Sequence, residues 1–185
     1  MGDSATVFGD AHRFSPAAPE ESFVFGSCAP GWHSACSTAT AVDQWLAYVQ
    51  SNGIERVCCL FAGTTAQVDE SHLERYSDTF GPENVCHVPT ASSRLVTREK
   101  LVDEILPFLR RSVERESPVV VQCLSGVGRT GQVLAAWLVE YHEYDPVSAV
   151  ETVQEMGRDP TTLVDTGTAS EEELFALLNQ CRQSP

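Results

Sequence analysis

Five residues, Leu124-Ser125-Gly126-Val127-Gly128, separate Cys123 from Arg129, and Thr130 and Gly131 follow at once. A cysteine becomes a strong nucleophile as its thiolate, and thiol pKa values fall beside cations and helix N-termini. A loop of this length between a strand and a helix wraps so that its backbone N–H groups converge on one spot. Gly126 and Gly128 are expected to supply positive φ and close backbone approach. The helix beyond aims the positive end of its dipole at the same spot. Such a nest binds a tetrahedral dianion. Arg129 adds a planar fork for two of the anion's oxygens, which lysine could not match. A Cys123 thiolate beneath a seated phosphate is poised for in-line attack on phosphorus. Thr130 can place a hydroxyl near the sulfur and help it depart when the phosphocysteine is hydrolysed.

The surrounding elements must position this loop. Val119-Val120-Val121-Gln122-Cys123 is a continuous apolar run, which suits a central strand covered on both faces. The helix after it runs from near Arg129 to about His142. Upstream, Phe23-Val24-Phe25 reads as a short strand. Val42, Trp45, Leu46 and Val49 mark one helix face, capped by Ser37 or Thr38 and ended by Asn52-Gly53. Ile54 to Phe61 is a buried strand, 71–77 a short helix, and Val85 to Val88 another strand. Thr97 opens a long helix that Pro107 should kink or break. Asp145-Pro146 caps the next helix, which Gly157 ends, and Ser170-x-x-Glu173 is a capping box for the last. Strands alternating with helices predict an α/β fold: a parallel-rich central sheet flanked by helices on both faces. Residues 1–20 lack periodicity, hold Pro16 and Pro19, and are expected to form a loose leader before a single domain over 21–185.

The chain carries 26 acidic and 12 basic residues, a net charge of −14, and its only lysine is Lys100. A surface this acidic repels nucleic acid and anionic membrane, so neither is an expected partner. It resembles the surfaces of proteins from salt-loving microbes, where high salt screens self-repulsion; an acidic mesophilic protein is the other reading. No apolar run approaches the roughly 18 residues of a membrane span, and no secretory signal precedes the domain, so a cytoplasmic protein is expected. Seven cysteines at irregular spacing, with no C-x-x-C pair, argue against a disulfide scaffold or a zinc ribbon. His12, His72 and His142 lack metal-ligand spacing, so no cofactor is expected.

At Gln122-Cys123-LSGVG-Arg129-Thr130-Gly131 the sequence resembles the protein-tyrosine and dual-specificity phosphatase superfamily. The resemblance runs from about Trp45 to Leu178. It takes in the His87-Val88-Pro89 strand end and Arg158-Asp159-Pro160, which looks like the family's segment after the helix that follows the loop. It implies a phosphatase-like α/β fold and a phosphomonoester hydrolase that works through a phosphocysteine, without a metal. The implied substrate is a phosphorylated protein or a small phosphomonoester.

Three positions depart from the family pattern. Gln122 stands where the superfamily has His before the nucleophile. Ser92 is the closest match to its general-acid Asp, and no carboxylate lies between Pro89 and Arg98. A missing acid penalises alkoxide leaving groups, since general acid catalysis is worth about 10²–10⁴-fold. Asp69, Glu70 and Asp159 are the candidate substitutes; the alternative for each is a solvated surface charge. The segment where many members carry a water-positioning Gln reads Ser170-Glu171-Glu172-Glu173, explained by capping. Two other readings stand beside the hydrolase. A pseudophosphatase would bind phosphorylated partners without turning them over. A rhodanese-type sulfurtransferase also uses a loop cysteine, but Arg129 and Thr130-Gly131 favour phosphate chemistry.

Overall fold

The structure is a computed structural model that describes residues 12–32, 38–63 and 70–182. One sheet runs through it, with strands β1 (Ser15–Pro16), β2 (Val24–Ser27), β3 (Arg56–Cys59), β4 (Val85–His87) and β5 (Val119–Gln122) in the order β1-β2-β5-β3-β4. All neighbours pair in parallel except β1, which runs antiparallel to β2. The expected α/β architecture is therefore present, with VVVQ as the middle strand.

Every residue of β5 is buried, because both faces of the sheet are covered. Val119, Val121 and Cys123 enter a core shared with Leu134, Trp137 and Leu138, while Val120 enters a second core with Trp45, Val49 and Tyr76. Helices α1 (Thr38–Ser51) and α2 (Glu70–Phe80) supply the second core. Helices α3 (Leu106–Glu114), α4 (Gly128–Tyr141), α5 (Pro146–Glu155) and α7 (Glu171–Gln180) supply the first, and α6 (Thr162–Asp165) is a single turn between α5 and α7. Ser27 of β2 and Cys59 of β3 both align with Gln122 of β5. Three parallel strands thus end level, and the crevice beyond their carboxyl ends is where such sheets bind ligands.

Two helix starts follow the sequence closely. Asp145 accepts from the N–H groups of Val147 and Ser148, both at 3.1 Å, with Pro146 in the first turn of α5. Ser170 and Glu173 close a reciprocal capping box on α7, at 3.1 and 2.7 Å. An N-cap of this kind is worth about 0.5–2 kcal/mol. The cap expected of Ser37 or Thr38 lies outside the described side chains.

Two expectations need correction. The leader is not loose up to residue 20: Ser15–Pro16 forms edge strand β1, and Ala17 and Ala18 are fully buried. Proline is tolerated there because an edge strand leaves one side of its backbone unpaired. Residues 1–11 lie outside the described residues. The helix over 97–116 is disturbed ahead of Pro107, as expected, but by a widened turn and not by the expected kink or break. Lys100–Ile105 winds as a π-helix, in which Leu106 N–H bonds to Leu101 O, and Pro107 falls in the first turn of α3. Proline has no N–H to donate and its ring crowds the carbonyl four residues back, so the widened turn removes both conflicts. Among the described residues, no helix is long and apolar enough to cross a membrane.

Candidate active site

The loop from Cys123 to Gly128 leaves β5 and curls back over the end of β2. Gly126 has φ +73°, and a Cβ there would lie 2.6 Å from Cys28 N and Ser27 O, so only glycine fits. Gly128 differs from the expectation: it is the first residue of α4 without positive φ, and a Cβ on it would meet Thr162 at an ordinary 3.4 Å. Close approach occurs instead at Gly131, where a Cβ would lie 3.0 Å from Pro160 N.

Three successive loop carbonyls are held from outside. Leu124 O accepts Ala29 N–H at 2.9 Å, Ser125 O accepts Arg13 Nη1 at 3.1 Å, and Gly126 O accepts Arg158 Nη1. Drawing the carbonyls outward leaves the N–H groups to face inward, which is how a backbone nest is made. Arg158 is 1% exposed and also donates to Arg13 O at 2.6 Å and Ser15 Oγ at 3.2 Å. Burial pulls its pKa down to about 10, yet it stays a cation at neutral pH. Its guanidinium passes over Gly26, where a Cβ would lie 2.6 Å from it. Arg13 and the close packing at Gly26 are absent from the sequence reading. The pairing of residues 13 and 158 across the sheet leaves no local signal.

Inside the loop, Cys123 Sγ accepts Gly126 N–H at 3.3 Å and the Thr130 hydroxyl at 3.2 Å. Elsewhere along these strands, burial pushes the Cys28 thiol up to about 11 and the Cys59 thiol up to about 12. Arg129 is oriented by backbone, since its Nη1 donates to Thr90 O at 2.7 Å and Leu60 O at 3.4 Å. Cys123, Ser125, Gly128 and Arg129 line a cleft of about 140 Å³ together with Ser92, Gln132, Thr162 and Leu163.

The structure brings Cys123, the loop, Arg129, Thr130 and Ser92 together, and leaves the candidate acids elsewhere. Asp159 Oδ1 accepts from Thr161 N–H at 3.0 Å and the Thr161 hydroxyl at 2.6 Å, so its carboxylate is committed to the turn before α6. Glu70 is exposed at the first turn of α2. Neither lines the cleft, and Asp69 lies outside the described residues. Gln122 faces the opposite side of the sheet from Cys123, donating from Nε2 to Cys59 Sγ at 3.3 Å. It therefore reaches the loop through the strand and not by contact with the thiol. Val127 caps α4, and Leu124 packs into the second core, so these two serve the nest by backbone. Gln132 and Thr162 escaped the sequence reading. Gln132 lies three residues beyond Arg129, which is one helical turn, and that spacing could have found it.

The fold and this loop define a phosphatase of the protein-tyrosine and dual-specificity type. A family described as "Polymorphic toxin system, DSP-PTPase phosphatase" (Tc-R-P) matches residues 31–143, and the chain belongs to it. Over 67 residues the chain is 28% identical to the "Dual specificity protein phosphatase OPG106" of Monkeypox virus, covering 36% of this chain and 39% of the viral protein. Over 51 residues it is 43% identical to the "Uncharacterized protein MJ0215" of Methanocaldococcus jannaschii, covering 28% of this chain and 31% of that one. Among solved structures it is similar in fold to Tk-PTP in its active form, with TM-score 0.61, 19% identity, and 87% and 92% of the two chains covered. It is likewise similar to TpbA of P. aeruginosa, with TM-score 0.54, 22% identity, and 85% and 86% covered.

Proposed function

We propose that the chain hydrolyses phosphomonoesters through a phosphocysteine on Cys123. The observation that carries this reading is Cys123 Sγ at the cleft, receiving hydrogen bonds from Gly126 N–H and Thr130, with Arg129 beside it. The thiolate attacks phosphorus as the ester P–O bond breaks, and the leaving oxygen takes a proton. Water then attacks the phosphocysteine, the P–S bond breaks, and inorganic phosphate departs with the thiolate restored. Thr130 stabilises the sulfur as nucleophile and again as leaving group. The loop N–H groups and Arg129 hold the non-bridging oxygens through both steps.

The substrates are phosphorylated tyrosine side chains, other phosphorylated residues, or small aryl phosphates. Aryl esters are favoured because no carboxylate lines the cleft among the described residues. Leu124 and Val127 occupy the loop positions where a lysine would meet extra phosphates, so a polyphosphorylated headgroup is a poor fit. Among the described residues no cysteine is joined in a disulfide, which suits work in a reducing cytoplasm. The family's description names a polymorphic toxin system, and that is the setting proposed for this chemistry.

The test is turnover of an aryl phosphate that vanadate inhibits and chelators leave unchanged. Cys123→Ser should abolish turnover and keep phosphate binding, since only the nucleophile is lost. A Cys123→Ser protein with most of the original rate would remove Cys123 from the mechanism. Phosphate binding without turnover in the unaltered chain would mark a binding module instead.

A further inference from the structure

Gln132 is 1% exposed on α4. Its Oε1 accepts Val96 N–H at 3.0 Å, which fixes the amide and commits Nε2, with two N–H bonds, to the other side. Nε2 meets no acceptor among the described residues, and Gln132 lines the cleft beside Cys123 and Arg129. Buried amide N–H groups are nearly always paired, because an unpaired one has given up water for nothing. An oxygen acceptor entering the cleft would complete the pairing.

A bound phosphomonoester brings four oxygens. The loop N–H groups and the Arg129 fork address the three non-bridging ones. In-line attack requires the fourth, the ester oxygen, to lie opposite the sulfur, away from the floor of the nest. Outside the loop and Arg129, the polar side chains of the cleft are Ser92, Gln132 and Thr162. Thr162 spends its hydroxyl proton on Asp159 O at 2.8 Å. Ser92 is exposed and its hydroxyl is free to turn. Gln132 is the donor held in one orientation.

Resting on the phosphatase reading, we propose that Gln132 Nε2 donates a hydrogen bond to the ester oxygen of the substrate, making it a residue that recognises the leaving group. A neutral amide does not give up its proton at these pH values. It stabilises the charge growing on the departing oxygen, and the proton itself comes from solvent.

The test uses the full chain carrying Cys123→Ser, so that binding is read without turnover. Affinities are measured by calorimetry for phenyl phosphate, for benzylphosphonate, which has CH₂ in place of the ester oxygen, and for inorganic phosphate. Adding Gln132→Met should lower the ratio of ester to phosphonate affinity about 3–10-fold, the range of one hydrogen bond, with phosphate affinity unchanged. Only the change in the ratio is read, so intrinsic differences between the ligands cancel. Gln132→Glu keeps the acceptor for Val96 N–H and, when ionised, removes the donors. Its charge weakens all three anions alike, so only the ester-to-phosphonate ratio is read, and that ratio should show the same drop if the methionine variant does not fold. An unchanged ratio in the variant that folds overturns the proposal. Equal weakening of all three ligands by Gln132→Met also overturns it, since Gln132 would then act only by supporting the 90–97 segment. If the Cys123→Ser parent binds none of the three, the phosphatase reading itself falls and takes this proposal with it.

Discussion

The two walls of the cleft are built to different standards. On the phosphate side, three loop carbonyls are anchored from behind, two arginines stand at their backs, and Gly126 is forced by contact with β2. On the leaving-group side, the cleft offers Ser92 and Gln132, both neutral at every ordinary pH. On the proposed reading, the contrast teaches that holding a phosphate and releasing its alcohol are separable tasks in this fold. The first depends on long-range packing and is over-determined. The second rests on one or two side chains and is open to change.

The largest expected effect comes from repairing the weaker wall. Ser92→Asp should speed alkyl phosphate hydrolysis by about 10²–10⁴-fold, the usual worth of a general acid. Aryl phosphates should gain little, so the dependence of rate on leaving-group pKa should flatten. A variant with an unchanged slope would show that the wall's weakness does not lie at residue 92. The next effect damages the stronger wall. Arg129→Lys replaces a fork by a point charge and also breaks the geometry of the bonds to Thr90 and Leu60 carbonyls. Affinity for inorganic phosphate should fall about 10–100-fold, as expected when a charge-assisted bond is lost; a drop under threefold would mean that the backbone nest alone carries recognition.

Arg158→Met asks whether the anchoring behind the nest matters. It strands Gly126 O and Arg13 O, and should cost about 1–3 kcal/mol of stability in denaturant melts. Phosphate affinity should weaken with it, although Arg158 does not line the cleft. Stability lost with full phosphate affinity kept would show that the nest holds its shape unaided. The smallest effect separates scaffold from site by pH. Burial alone would raise the Glu21 carboxyl, but hydrogen bonds from Trp137, His142 and Phe23 N–H outweigh it and hold it below its usual 4.5. A depressed carboxyl adds stability that is complete above its unfolded pKa and is lost as pH falls through the lower, folded value. The melting temperature should therefore drop as pH falls below about 4.5, and Glu21→Gln should make that drop shallower. The same drop in both proteins would assign the acid sensitivity to another group.

The sequence made the loop legible because its signal is local. Strand, glycines, arginine and amphipathic helix lie within 119–139, and each constrains its neighbours. The caps at Asp145 and Ser170 were legible for the same reason, since an N-cap and its partners sit within three residues. What escaped reading depends on chain brought from afar. Ser15–Pro16 has too few residues to show alternation, and only pairing with Gly26 and Phe25 makes it a strand. The glycines looked equivalent, yet only Gly126 meets the backbone of another strand; Gly128 simply begins a helix. Pro107 announced a disturbance in its helix, but the proline alone does not choose between a kink, a break and a widened turn.

The bond from Arg158 to Arg13 O spans 145 positions of sequence, and Arg13 reaches Ser125 across 112. The loop around Cys123 thus closes only when segments near opposite ends of the described chain meet across the middle strand. Loop closure over such separations costs entropy before any contact rewards it, which slows folding. A chain emerging from the ribosome would carry Cys123 for some time before residue 158 arrived to brace the loop. The loop would stay unbraced through that interval, and the cleft around Cys123 would take shape only with the finished fold.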